Sequence, residues 1–325
     1  MTAKAEKVWR DYDQAALDVQ YNSRGTVPDF TVYTALYKEQ TLAAKADLRC
    51  IENVDYGLGS DEQLDIYPAS VGNAPVMVFL HGGNWQAFSK EDNGFGAPTF
   101  TAEGITFVVP DFTLVPRATV VQMGAQVGRM LAWVWHHIGD YGGDTSRIFI
   151  AGHSSGANLV SQLLSTEWAT EQGVPRDIVK GAVFISGLGD LEPVRLSFRN
   201  QNLQLDPATV TCASLLHCKP TAGANCPLLV AVGEDETDDY KRQARDVAAY
   251  WEAHGNQAEF FELSGRHHFD SVLEWVDPQS ALFRATLKMM GLTPFNTPFG
   301  ECPKLEMLHP SLVQRATAAW KALNT

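Results

Sequence analysis

The chain has 325 residues, of which 45% are hydrophobic and 19% charged, with a formal net charge of −13 and an isoelectric point near 5.1. This length suits one large α/β domain with a substantial core, and the acidic balance argues against nucleic acid or an anionic membrane as a partner. The first residues lack the apolar core of a signal peptide, and no apolar run is long enough to span a bilayer. We therefore expect a soluble, cytoplasmic protein.

The first part of the chain is predicted to form a helical flank over residues 1–46. Residues 6–46 have helix-compatible sequence with a break at residues 25–28, and we expect them to pack as a lid or flank. Residues 49–56 and 63–67 then predict a strand pair joined by a turn.

Strands and helices alternate in the rest of the domain, which we place at residues 47–291. Such alternation predicts a mostly parallel sheet with helices on both faces, and ligands bind outside the carboxyl ends of such strands. Residues 187–226 are predicted to form a small cap, and residues 292–325 a tail that packs on the domain, with an amphipathic helix at 311–322 for packing or a homodimer contact. The predicted strands are 76–80, 105–109, 147–151, 180–186, 227–232 and 258–263, and the predicted helices are 89–102, 118–138, 156–170, 239–255 and 277–290.

The first chemical motif follows the buried strand at residues 75–80 and reads His-Gly-Gly-Asn-Trp, residues 81–85. Two glycines directly after such a strand allow backbone N–H groups to approach a ligand oxygen closely. The N–H groups near Gly83 and Asn84 are therefore predicted to form one side of an oxyanion hole, with an ordinary glycine turn as the alternative. Trp85 and Phe88, together with Phe198 of the predicted cap, are candidates for an apolar substrate-binding wall.

The second motif is Gly-His-Ser-Ser-Gly at residues 152–156, between an apolar strand and a helix-compatible segment. This G-x-S-x-G pattern is typical of a sharp strand-to-helix turn that exposes a nucleophilic serine, with glycines where a Cβ would collide with neighbouring backbone. Ser154 is the candidate nucleophile, and the N–H of Ser155 is the candidate second oxyanion donor. His153 is predicted to point away from the serine and to serve in packing.

A candidate base and acid lie further along the chain. His267 and His268 follow the predicted strand at residues 258–263, and acidic residues at 234–236 lie between them and the serine. The order serine, acid, histidine is the order found in α/β-hydrolases. Asp235 and Glu236 are both candidates for the acid, whereas Asp238 and Asp239 are predicted to be solvated carboxylates in the first turn of the next helix.

The five cysteines do not predict a disulfide framework or a metal site. They lie at positions 50, 212, 218, 226 and 302, an odd number with irregular spacing and no C-x-x-C pair. We therefore interpret them as structural or incidental thiols and predict no metal.

Over about residues 12–291 the chain resembles the kynurenine formamidase (arylformamidase)-like branch of the α/β-hydrolases. The similar segments are 19–24 with 27–29, 81–85, 152–156, 186–193, 233–237 with 242–243, and 268–269. The resemblance implies an α/β-hydrolase fold and cofactor-free hydrolysis of a small-molecule formamide or ester that carries an aromatic group. It also favours His268 as the base, because that residue matches the family's His-Phe pair, and Glu236 as the acid, where many members have Asp and some bacterial ones Glu.

One departure from the family concerns Asn84. The formamidases commonly have Tyr at this position, and the change alters the wall of the acyl pocket. An alternative function is therefore a carboxylesterase or amidase that acts on a larger xenobiotic or secondary metabolite without formamidase activity. A binding protein without catalytic activity on the same scaffold is the alternative from another class.

Overall fold

The structure is a computed structural model that describes residues 6–221 and 225–293. The predicted amphipathic helix at 311–322, most of the predicted tail and Cys302 lie outside the described residues, so these interpretations stay predictions.

The described residues form one sheet of eight strands, with helices before, between and after them. The strands are β1 (Ile51–Asp55), β2 (Gln63–Tyr67), β3 (Ala74–Leu80), β4 (Thr106–Pro110), β5 (Gly143–His153), β6 (Val179–Ile185), β7 (Leu228–Gly233) and β8 (Ala258–Leu263). The helices are α1 (Gln14–Gln20), α2 (Thr31–Asp47), α3 (Ala97–Ala102), α4 (Val120–His137), α5 (Ser155–Ser165), α6 (Trp168–Glu171), α7 (Glu192–Leu196), α8 (Asn200–Leu203), α9 (Pro207–Ala213), α10 (Asp238–Ala253) and α11 (Ala281–Met289). Short 3-10 segments lie at Ser23–Thr26, Lys90–Asp92, Ile138–Tyr141, Leu215–His217 and Ser271–Val276.

The strand order is β1-β2-β4-β3-β5-β6-β7-β8, and every pair from β4 to β8 is parallel, whereas β1 and β2 are antiparallel to their neighbours. This confirms the predicted mostly parallel sheet. The helix predicted at 89–102 is wrong in its first half, because Ser89 and Asp92 form a capping box around a 3-10 turn and α3 begins only at Ala97. The last predicted helix also begins later than predicted, at Ala281, directly after the capping residue Ser280.

The central strands are apolar throughout because both faces of the sheet are covered. Along β3, Val76, Val78 and Leu80 belong to one buried cluster, while the alternate residues Met77 and Phe79 belong to the cluster on the other face. Successive side chains of a strand point to opposite faces, so a strand between two helical layers needs apolar residues at every position. The continuous runs that predicted the strands have this physical origin.

The N-terminal segment contacts both faces of the sheet. Leu17 of α1 belongs to one buried cluster and Leu36 of α2 to the other. The chain between them, residues 21–30, therefore passes over an edge of the sheet, and its residues line the cavity described below. None of the helices within the described ranges is long and apolar enough to cross a membrane.

The glycines of the turn after β5 provide a test of this packing. A Cβ on Gly156 would collide with the backbone carbonyls of Leu80 and His81, whereas a Cβ on Gly139 would meet no atom within 4 Å. Gly156→Ala is expected to lower the free energy of unfolding by at least about 2 kcal/mol, because backbone must move. Gly139→Ala is the control and should change it by less than about 1 kcal/mol. Equal thermal and denaturant stability of the two variants would contradict this account.

Candidate active site

The turn between β5 and α5 holds Ser154 in a conformation that L-residues rarely adopt. Its φ is 55° and its ψ is −121°, and the residue before it ends the strand while the residue after it begins the helix. A Cβ on Gly152 would collide with the carbonyl of Gly156, so both flanking positions require glycine. Strain of this kind persists only where the surrounding structure enforces it. The G-x-S-x-G motif therefore forms the predicted sharp turn.

The side chains of Ser154, His268 and Glu236 lie in one hydrogen-bonded chain. His268 Nε2 is 2.9 Å from Ser154 Oγ, and His268 Nδ1 is 2.7 Å from Glu236 Oε2. All three residues are buried. Residues separated by 114 and 32 positions in the sequence thus meet at the carboxyl ends of the parallel strands.

The surroundings of Glu236 determine which imidazole nitrogen carries the proton. Burial alone would raise the pKa of this carboxyl, but His268, the Ser186 hydroxyl at 2.5 Å and the Gly233 N–H at 2.9 Å hold its pKa below the ordinary value. An ionised carboxylate only accepts hydrogen bonds, so Nδ1–H of His268 donates to it. Nε2 is then the acceptor for the Ser154 hydroxyl.

The alternative residues left open by the sequence do not contact Ser154. His267 Nδ1 lies 3.2 Å from Asp270, and its ring packs edge-on against Tyr33. Asp235 is exposed to solvent. His153 has a buried ring whose Nε2 donates to the carbonyl oxygen of His268 at 2.8 Å and whose centroid lies 5.1 Å from that of the His268 ring.

The turn after β3 lies beside the serine. Gly83, Asn84 and Trp85 all have positive φ, of 106°, 55° and 57°. Trp85 N–H donates to Ser155 Oγ at 3.2 Å, which joins this turn to the start of α5. Among the described residues the N–H groups of Gly83, Asn84 and Ser155 donate no hydrogen bond. These three donors are the ones that the sequence predicted for an oxyanion hole.

A cavity of about 330 Å³ opens onto Ser154 and His268. Phe88 and Phe198 line it, and Phe198 is 42% exposed. The prediction for Trp85 is wrong, because its side chain is fully buried in the core and does not line the cavity. The aromatic lining also includes four side chains for which the sequence predicted no role in the cavity: Tyr21, Phe30, Tyr37 and Phe269.

The sequence profile described as alpha/beta hydrolase fold matches residues 77–270. This span is more than half of the chain and includes both glycine-containing turns and His268. The chain belongs to the alpha/beta hydrolase fold family.

Individual relatives place this hydrolase within the family. Kynurenine formamidase of Salmo salar is 29% identical over 298 residues, which cover 87% of this chain and 98% of the relative. Kynurenine formamidase of Danio rerio is 27% identical over 297 residues, with the same two coverages of 87% and 98%. A solved structure from Silicibacter sp. tm1040 has a TM-score of 0.74 at 23% identity, and the match covers 82% of this chain and 97% of that one. The chain is thus a hydrolase that is similar to kynurenine formamidases along most of its length.

Sequence reasoning gave no role to several polar residues around the site of this hydrolase. Ser186, directly after β6, donates to Glu236 and lies 2.7 Å from Ser271 Oγ. Its place at the end of a parallel strand is a signal that could have identified it. Tyr240 packs edge-on against the His268 ring, with ring centroids 4.8 Å apart, and Arg199 donates to its hydroxyl at 3.2 Å. No local pattern marks these two residues.

The interpretation of Asp239 as a solvated carboxylate is wrong. Its side chain is 1% exposed, accepts a hydrogen bond from the Tyr21 hydroxyl and pairs with Arg242 at 2.6 Å. It therefore joins the N-terminal segment to α10, and Gln243 extends the contact by donating to Tyr21 at 2.8 Å. A carboxylate in the first turn of a helix has the same local sequence pattern whether it is hydrogen-bonded to water or to a tyrosine far away in the chain.

Neither the cysteines nor the acidic side chains of the described residues point to a metal in the site. Cys50, Cys212, Cys218 and Cys226 are free thiols with burial from exposed to buried. The carboxylates that come close enough together to share an ion are those of Glu52, Asp65 and Glu91, and the ammonium groups of Lys45 and Lys90 lie among them at 2.5–3.2 Å. With two ammonium groups among three carboxylates, this cluster is an ion-pair network.

The buried ring of His153 predicts a loss of stability in acid. Burial, with a smaller contribution from His268, lowers its pKa from 6.5 to about 3. Below pH 6.5 the unfolded chain binds a proton here that the folded protein does not, so stability declines as the pH falls from 6.5 towards 3. Between pH 7.5 and pH 5.0 this one residue should lower the free energy of unfolding by about 2 kcal/mol.

Denaturant unfolding of the His153→Gln variant at both pH values measures this contribution. Glutamine keeps a donor for the His268 carbonyl and does not titrate, so the difference between the two pH values should shrink by about 2 kcal/mol. The exposed His254→Gln variant is the control and should keep the wild-type difference. An unchanged difference in His153→Gln would contradict the assignment.

Proposed function

We propose that this protein is a serine hydrolase that cleaves a formamide or small-acyl ester or amide with an aromatic leaving group through an acyl-enzyme. The observation that carries the proposal is the hydrogen-bonded chain from Ser154 through His268 to Glu236. A serine hydroxyl is a weak nucleophile at neutral pH. An adjacent imidazole, held in position by a carboxylate, activates it by accepting its proton.

In the proposed first half-reaction, Ser154 Oγ attacks the substrate carbonyl carbon while its proton passes to His268 Nε2. The imidazolium is stabilised by the Glu236 carboxylate, which stays ionised. As the tetrahedral intermediate collapses, Nε2–H protonates the departing nitrogen or oxygen of the aromatic group. The acyl group is then bonded to Ser154 and the aromatic product is free to leave.

In the second half-reaction, water gives a proton to His268 Nε2 and attacks the acyl carbonyl. Collapse of this intermediate returns the proton to Ser154 Oγ and releases the acid. In both steps the negative oxygen of the intermediate would accept hydrogen bonds from the N–H groups of Gly83, Asn84 and Ser155. In comparable hydrolases one such donor increases the rate about 10²–10³-fold.

The size and lining of the cavity support a compact aromatic substrate. A volume of about 330 Å³ is at the lower end of the range for small-molecule sites, which run from about 300 to 1,000 Å³. Its six phenylalanine and tyrosine side chains suit a flat ring in the leaving group. The similarity to kynurenine formamidases favours a formyl or other small acyl group.

A carboxylesterase or amidase that acts on larger acyl groups is the second candidate. It is favoured by Asn84, where the formamidases commonly have Tyr, because a smaller side chain leaves more room beside the acyl group. Rates for p-nitrophenyl esters of increasing acyl length, together with N-formylkynurenine, separate the two functions. A decline beyond acetyl supports the first candidate, and an optimum at longer acyl groups supports the second.

Removal of the nucleophile tests the mechanism. Ser154→Ala is expected to lower kcat by about 10⁶, because the residues of a triad act as a unit. The wild-type protein should be labelled at Ser154 by a serine-directed phosphonate, as seen by mass spectrometry of peptides. Covalent labelling at another residue, with full activity in the Ser154→Ala variant, would overturn the mechanism.

The two acid candidates are separated by isosteric amides. Glu236→Gln is expected to lower kcat by about 10⁴, because an amide oxygen orients the imidazole without stabilising its charged form. Asp235→Asn, one residue away and exposed, is the matched control and should retain kcat within about twofold, as it lacks contact with the imidazole. The reverse order of effects would assign the acid to Asp235.

A further inference from the structure

Arg199 places a guanidinium at the cavity wall without a charged partner. The residue follows α7 in the predicted cap and is 9% exposed. Its acceptors are Asn84 Oδ1 at 3.0 Å, the Tyr240 hydroxyl at 3.2 Å and Ser23 Oγ at 3.1 Å. All three are neutral oxygens, and no described carboxylate forms an ion pair with Arg199.

The arrangement is unusual for a buried charge. An arginine that is removed from water is generally paired with a carboxylate or phosphate, because neutral hydrogen bonds replace only part of its hydration. Arg242 of α10 has the usual carboxylate partners of a partly buried arginine, because it forms ion pairs with Asp239 and Asp246 at 2.6 and 2.7 Å. The guanidinium of Arg199 has donors beyond those used by its three acceptors, because the group carries five N–H bonds.

The charge of the cavity contrasts with that of the whole protein. The formal net charge of the chain is −13, yet the described residues that line the cavity include Arg24 and Arg199 and no aspartate or glutamate. Arg24 is exposed and lies over the ring of Phe30 at 4.6 Å. The cavity therefore offers two positive groups and no lining carboxylate that would pair with a positive substrate.

We propose that Arg199 is a specificity-determining residue that binds a carboxylate on the aromatic leaving group of the substrate. This hydrolase then selects anionic aryl esters or formamides over neutral and cationic ones. The inference rests on the proposed function and names the class of its substrate. The leaving group is the part concerned, because a formyl or acetyl group is too small to bear a second recognition element.

The contacts of Arg199 place it next to the reacting groups. Its partner Asn84 supplies one of the proposed oxyanion donors, and its partner Tyr240 packs against His268. Burial raises the pKa of Tyr240, while Arg199 and the side chain of Ser154 oppose that rise. A carboxylate bound to Arg199 would thus lie beside Ser154, within the span of one aromatic ring.

The test uses three acetate esters with the same scissile bond and the same ring position. They are 3-carboxyphenyl acetate, its neutral isostere 3-carbamoylphenyl acetate and the cationic 3-(aminomethyl)phenyl acetate. The wild-type kcat/KM is expected to fall in that order, with the anion preferred over the amide by about tenfold to hundredfold, the range for a hydrogen bond to a charged group. The ratio is internal to each protein preparation, so a general loss of folded enzyme does not alter it.

Variants assign the preference to one side chain. Arg199→Gln should reduce the anion-to-amide ratio to within about threefold of unity, and Arg199→Lys should keep an intermediate ratio because it retains the charge without the planar fork. Arg195→Gln is the matched control: it lies on the same cap segment and removes the same charge, but Arg195 pairs with Glu192 at 2.6 Å and does not line the cavity. It should keep the wild-type ratio.

A wild-type ratio near unity, or a ratio that is unchanged in Arg199→Gln, overturns the inference while turnover of both esters leaves the proposed function intact. A binding measurement tests the carboxylate site separately from turnover. In the Ser154→Ala background, 3-hydroxybenzoate should raise the melting temperature more than 3-hydroxybenzamide, and Arg199→Gln should abolish the difference. That result without turnover of any ester in the wild-type protein would overturn the proposed function and keep the carboxylate site.

Discussion

The site depends on one close approach between backbones, at which the turn after β5 meets the end of β3. Gly156 lies so near the carbonyls of Leu80 and His81 that no Cβ fits between them. This approach brings Ser154, which follows β5, beside the glycine turn that follows β3. The Ser154 hydroxyl and the N–H groups of Gly83 and Asn84 therefore lie side by side. The bond from Trp85 N–H to Ser155 Oγ fixes the two turns together.

The register of the parallel sheet brings the remaining groups to the same edge. His153, Ile185 and Ala231 lie side by side on β5, β6 and β7, so the residues that follow these strands emerge together. Ser154 follows the first, Ser186 the second, and Glu236 the third after a short turn. His268, Ser186 and the Gly233 N–H together lower the pKa of this carboxyl, and the ionised carboxylate fixes the tautomer of His268. Strand order thus decides the electrostatics of the site.

The sequence predicted the parts of this arrangement that depend only on residues close together in the chain. The strands appear as apolar runs because both faces are covered, and the glycines of the two turns appear because a Cβ is forbidden there. The prediction for Trp85 is wrong because an aromatic residue after a glycine turn has the same sequence pattern whether its side chain faces the core or the cavity. The partnership of Arg199 with Ser23 joins residues 176 positions apart, and the path of the N-terminal segment over the sheet edge depends on such contacts. No local period encodes them.

The contrast between an acidic protein and a basic cavity bears on how a substrate would be chosen. Charges on the outer surface act through water and are screened beyond about 8 Å at physiological ionic strength. Arg199 is buried, with 9% of the residue exposed, so its charge is screened far less and acts at contact distance. The net charge of −13 therefore repels an anionic substrate only weakly at long range. At short range the Arg199 guanidinium would attract the carboxylate of the proposed substrate strongly. Under this division selectivity arises from the geometry of a single side chain, which three neutral acceptors on separate segments hold in position.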